Sequence, residues 1–155
     1  MSDFYASVIP TDVLWQPSRE AAAEAEKYVR HAFPNPDQVG QTIEVSFYGR
    51  ITAVDAGENL GRITCPRCGQ DIALEWYQDL LEQAEAEFDS LDVTVPCCDA
   101  LLGLDTLLFD WPCGFARFEI AVANPARAEF TFTPTELDAL AAILGHPVRQ
   151  ILTHI

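Results

Sequence analysis

The sequence predicts an α+β fold in which helices flank a small antiparallel sheet. Three observations carry that prediction. Runs of alternating apolar and polar residues, such as Ile43, Val45 and Phe47 set against Thr42, Glu44, Ser46 and Tyr48, have the two-residue period of a half-buried strand. Other runs repeat apolar residues every three or four positions, as a helix with one core face does. Two short cysteine clusters, at 65–68 and 97–98, bracket one of those helical runs. The 155 residues, 49% of them hydrophobic, are enough to bury a core without a covalent staple. One domain over 1–155 is expected.

The first helix is announced by Trp15-Gln16-Pro17-Ser18 and expected over residues 19–33. Pro17 suits a first turn, Ala21, Ala25, Tyr28, Val29 and Ala32 form one stripe, and Glu26 and Arg30 make a supporting i,i+4 pair. The strand over 43–48 is expected to end at Gly49 and to pair with a second strand at 51–54. Beyond Gly69, the residues Trp76, Leu80, Ala84, Phe88 and Leu91 recur at helical spacing, with Glu75, Asp79, Glu82 and Asp89 opposite. That pattern predicts a long helix with a core face and an anionic face. A short β run at 92–95 follows. Further on, Phe118, Ile120 and Val122 alternate, Asn124-Pro125 marks a turn, and Phe130 and Phe132 are expected to return as the second arm of a hairpin. Thr133-Pro134-Thr135-Glu136 is a capping box that opens the last long helix, and Gly145 stops it. Residues 148–155 are expected to form a final short helix.

The cysteines carry the sharpest chemical signal. Cys65-Pro66-Arg67-Cys68-Gly69 has the form of a zinc knuckle, in which two thiolates two residues apart reach one ion and a glycine lets the chain turn under them. Four ligands complete a structural site, and the most economical second pair is Cys97 and Cys98. The 28 residues between Cys68 and Cys97 exceed a compact ribbon's usual gap of about 15–20, and the acidic helix accounts for the excess as an insertion. Adjacent cysteines point apart on an extended chain, so Cys98 serves only if the backbone turns tightly; its substitutes are Cys113, His146 and His154. A zinc-ribbon-like portion with a four-cysteine site is therefore expected over about 62–104, with zinc as the cofactor. A redox reading of Cys65 and Cys68 needs the first thiol at a helix N-terminus. Gly69 interrupts such a helix, and the second pair would be left unexplained.

These residues resemble a group of bacterial proteins, common in actinobacteria, that pair a CPRCG knuckle with a PCC knuckle. The likeness runs through Ile9-Pro10-Thr11-Asp12, Trp15-Gln16-Pro17, Asp55-Ala56-Gly57-Glu58-Asn59, both knuckles, Asp110-Trp111-Pro112, Gly114-Phe115-Ala116 and Asn124-Pro125. It implies the metal site and supplies no reaction. The chain departs from the pattern at Asp99, where glycine is expected, and at Cys113, where a small residue is expected.

Charge bounds the functional classes. The formal net charge is −15, and between Arg67 and Arg117 lie eleven carboxylates and no cation. Such a field repels phosphate backbones and anionic lipid and attracts basic proteins. Nucleic-acid modules place Lys and Arg around their knuckles, whereas here only Arg62 and Arg67 qualify. An all-cysteine site leaves no open position for catalytic water, and a nucleophilic Cys113 has no recognisable base, so no enzyme is expected. No apolar run spans a membrane, and the first residues lack the basic and apolar regions of a signal peptide, which points to the cytoplasm. The expectation is an acidic protein-binding module whose Glu75, Asp79, Glu82 and Asp89 meet a basic partner. An immunity protein or antitoxin against a basic toxin is one concrete form; the alternative is a nucleic-acid-associated zinc ribbon or, less economically, a zinc enzyme.

Overall fold

The computed structural model describes residues 3–38 and 40–155. Its fold is α+β with antiparallel sheets and three α-helices. The chain opens on β1 (Phe4–Pro10), continues through α1 (Arg19–Ala32) and enters the long strand β2 (Thr42–Val54). A second lobe follows, made of β3 (Ile63–Thr64), β4 (Asp71–Ile72), α2 (Leu74–Gln83), β6 (Asp92–Thr94), β7 (Leu101–Gly103), a 3-10 turn (Leu104–Thr106) and β8 (Leu108–Phe109), with β5 (Glu87–Phe88) between α2 and β6 returning to pair with β2 at the edge of the main sheet. The chain then returns through β9 (Gly114–Ala123), α3 (Pro134–Leu144) and β10 (Val148–His154).

The main sheet has the order β10-β1-β9-β2-β5. Ala6, Val8, Phe118, Ile120 and Val122 pack on its helical side against Ala22, Ala25 and Val29 of α1 and Leu140 and Leu144 of α3. Ser18 caps α1 by accepting the Ala21 N–H at 3.1 Å. The capping box of α3 is formed as its sequence requires, and Gly145 ends the helix in the left-handed region at φ 85°. Burial in α1 centres on Ala22, Ala25 and Val29, slightly rotated from the expected stripe.

Four expectations are corrected. Residues 51–54 do not fold back on 43–48; both belong to β2, which runs along β9, with an irregularity between Phe47 and Thr52. Gly49 therefore lies in a bulge rather than a hairpin turn. Its neighbourhood is held by Arg117, whose Nε donates to the Tyr48 carbonyl at 3.2 Å, and by the Gln16 amide, which donates to the same carbonyl at 3.0 Å. Second, Phe130 and Phe132 are not a strand, because β9 already has β1 and β2 on its two edges. Phe132 instead fills the core against Phe33, and Arg127 pins this segment by two 2.7 Å bonds to Glu136 while lying 3.6 Å from the Phe33 ring centre.

Third, residues 148–154 are strand β10, paired along its whole length with β1 from Phe4↔His154 to Pro10↔Val148. A short apolar run is ambiguous between helix and strand by pattern alone, and an open sheet edge decides it. Strand β1 itself was not foreseen. Residues 6–10 are all buried, so it shows no alternation to read. Fourth, α2 stops at Gln83, and Glu85 and Ala86 turn through positive φ of 55° and 61°. Phe88 thus lies in β5 and Leu91 beyond it. The fully buried residue of α2 is Tyr77, with Trp76 and Leu80 half-buried against the same core.

Candidate metal centre

Strands β3 and β4 form one hairpin and β6 and β7 another, and each carries cysteines at its turn. The two turns share one hydrogen-bond plan. In the first, Cys65 N–H donates to the Gln70 carbonyl at 2.9 Å and Gly69 N–H to the Cys65 carbonyl at 3.0 Å. In the second, Val95 N–H donates to the Ala100 carbonyl and Asp99 N–H to the Val95 carbonyl, both at 3.0 Å. Pro66 matches Pro96, Cys68 matches Cys98, and Gly69 at φ 76° matches Asp99 at φ 58°. The place of Cys65 is taken by Val95, and Cys97 stands where the first turn has Arg67. The second turn thus supplies its two thiols from adjacent residues.

The tight turn solves the geometric problem of adjacent cysteines. The Sγ atoms of Cys65, Cys68, Cys97 and Cys98 all lie within 4.8 Å of one another, and Cys65 and Cys98 are 3.9 Å apart. A tetrahedral ion with bonds of about 2.3 Å to sulfur needs edges of about 3.8 Å. The set fits such an ion after a small contraction, and these four close cysteines can hold a metal. Cys65 is buried at 1% exposure, Cys97 is half-buried, and Cys68 and Cys98 are exposed. The Cys68 backbone N–H, aided by that of Arg67, reaches the Cys65 sulfur at 3.5 and 3.4 Å and lowers its thiol to about 7. That favours the thiolate a metal requires. Burial, reinforced by the neighbouring sulfurs, pushes the Cys97 thiol up to about 12. The crowded sulfurs cannot all ionise without a cation among them.

The candidate substitutes lie elsewhere. Cys113 is buried, with its sulfur 3.8 Å from Asp55 Oδ1 and 3.6 Å from the Trp111 carbonyl, and burial pushes its thiol up to about 12. His146 stacks on Trp15 and His154 on Phe4. Cys98 is the fourth member of the cluster.

The four acidic residues are only partly brought together. Glu75, Asp79 and Glu82 are exposed on α2, spaced to share a face, with no cation within salt-bridge distance among the described residues. Asp89 lies beyond the helix and is tied to Arg50 at 2.9 Å. Arg62 is likewise tied to Asp71 at 2.8 Å, which leaves the second lobe with little free positive charge. Sequence reasoning missed the exposed aromatics Phe4, Trp111 and Phe130, which line one cavity from separate chain segments and show no local pattern.

Comparison of the chain with protein-family models, curated proteins and solved structures returns no match. Among the described residues no helix is long and apolar enough to cross a membrane.

Proposed function

We propose that the protein is a protein-binding module, held in shape by one structural zinc ion, whose acidic second lobe engages a basic protein partner. Zinc is the ion that four-thiolate tetrahedral sites take most readily in structural roles, and such a site is closed to water. Bound by Cys65, Cys68, Cys97 and Cys98, it would tie together two hairpins that α2 and β5 separate in sequence. The observation that carries the partner reading is the exposed face of α2, where Glu75, Asp79 and Glu82 are not neutralised by any nearby Lys or Arg among the described residues. Carboxylates so placed steer a cationic partner and accelerate its encounter. An immunity protein or antitoxin bound to a basic toxin is the most concrete form of this reading. A nucleic-acid role is less well supported, because Arg62 is already paired.

The test compares the wild-type chain with a Glu75→Lys, Asp79→Lys, Glu82→Lys variant in a pull-down, followed by association kinetics of the recovered partner at rising salt. The expected result is slower association for the variant and for the wild type at high salt. Salt-insensitive association unchanged by the variant would make the charge a solubility device. Tight binding of DNA or RNA at physiological salt would overturn the functional class.

A further inference from the structure

The end of the main sheet carries a feature that the acidic helix does not explain. Phe4, Trp111 and Phe130 are 48%, 39% and 58% exposed and, with Leu152 and Pro125, line one largely apolar cavity of about 250 Å³. A second hollow of about 170 Å³ adjoins it and shares Trp111 and Leu152, so the two form a groove. Large aromatics exposed together around a cavity are characteristic of binding sites, whereas isolated ones are ordinary surface.

The surroundings select the occupant. No Lys or Arg lines either hollow. Three carboxylates belong to residues next in sequence to the lining of the first: Asp3, which precedes Phe4 and accepts a bond from Asn124 Nδ2; Glu129, which precedes Phe130 and accepts a bond from Thr131; and Glu58, which precedes Asn59 and lies 3.6 Å from His154, whose ring stacks on Phe4. None of the three is in an ion pair with Lys or Arg among the described residues. The rings of Phe4 and Phe130 are nearly parallel, at 9° with centres 6.3 Å apart, and His154 covers one face of Phe4 at 4.4 Å. Flat, weakly hydrated guanidinium stacks on such faces and is held by the rings' negative quadrupole, while a compact ammonium gains less.

We propose that this groove receives an arginine side chain of a basic protein partner, its guanidinium against Phe4 and Phe130 and the adjoining apolar residue of the partner in the hollow beside Trp111. The proposal rests on the protein-binding reading above and gives it an anchor outside α2. Aromatic anchors that desolvate an arginine are where binding energy concentrates, while exposed carboxylates act mainly on encounter rate.

The experiment titrates the metal-loaded full chain with the peptide acetyl-Gly-Arg-Leu-amide and with versions carrying lysine or citrulline in place of arginine, followed by amide and indole NMR shifts. Shifts at Phe4, Trp111 and Phe130 are expected for the arginine peptide, with affinity at least about fivefold above the other two. Phe130→Ala, at an exposed position outside the strands, should weaken binding about fivefold; Phe4→Leu provides the same test should that variant misfold. Equal binding of the citrulline peptide would overturn the proposal, since it keeps the planar group and loses the charge. Equal binding of the lysine peptide would overturn the stacking argument. Shifts confined to α2 would overturn the groove and leave the acidic-surface reading standing, whereas failure of every basic peptide and partner to bind anywhere would end both.

Discussion

Replacing Cys68 with serine tests the metal centre where it is most separable from the core. Cys68 is exposed, so its loss removes little packing, unlike that of Cys65 at 1% exposure. An ion held by all four sulfurs cross-links Cys65 to Cys98, 33 positions apart. The chain-entropy relation for a cross-link of that span gives about 4 kcal/mol of stabilisation at 25 °C. Against a total of roughly 5–15 kcal/mol for a domain, that is a large share. Three remaining thiolates bind more weakly, and loss of the ion should lower the melting temperature by about 10 °C for a chain of this length. Circular-dichroism melts give the shift, and elemental analysis of protein purified without added metal should find about one zinc per wild-type chain. Cys113→Ser is the control. Its hydroxyl has Asp55 and the Trp111 carbonyl as partners, so its cost should stay near 1 kcal/mol. A metal-free, well-folded wild type with four titratable thiols would refute the reasoning, as would a Cys68→Ser melt unchanged from wild type. Equal losses in the two variants would make Cys113 a ligand or an essential core residue.

Three further predictions follow from particular residues. Asp99 holds a positive φ of 58° at the place where the first knuckle has Gly69, so Asp99→Gly should stabilise the chain by about 0.5 kcal/mol without changing metal content; a lower melting temperature would contradict this. Gly57, at φ 62°, lies so close to the His154 carbonyl that a Cβ would collide with backbone, and Gly57→Ala should cost more than about 2 kcal/mol in denaturant titration. Hydrogen bonding from Arg127, opposed by burial, lowers the Glu136 carboxyl from 4.5 to about 2 in a pair only 14–17% exposed. A depressed folded value adds stability above the unfolded one, and that stability is lost as pH falls from about 4.5 to 2. Its size is about 3 kcal/mol, and Glu136→Gln should flatten stability against pH in that window.

Legibility followed the range over which each signal acts. The capping box at Thr133, the stop at Gly145 and the periodicity of α1 are local chemistry; the first two are present where the sequence places them, and the buried stripe of α1 is rotated only slightly. The candidate metal site was legible because thiols are rare and their chemistry is specific. What the sequence could not convey was that Val95 occupies the place of the first knuckle's Cys65, so that Cys97 and Cys98 join the cluster from a turn otherwise built like its partner. Asp89 continues the helical spacing of Glu75 and so reads as part of the same face; the positive φ values at Glu85 and Ala86 end that helix first.

By itself the sequence determined the α+β class, the helices α1 and α3, the Cys65 and Cys68 knuckle and the excess of negative charge. These depend on periodicity, caps and composition, which act within a few residues or over the whole chain. Only the tertiary structure decided that residues 148–154 are a strand, that β2 is one bulged strand, and that Phe4, Trp111 and Phe130 meet at one groove. The physical reason is the same in each case. A strand gains its hydrogen bonds from a partner far along the chain, and β1 supplies β10 with an edge that no local pattern around residue 148 reveals.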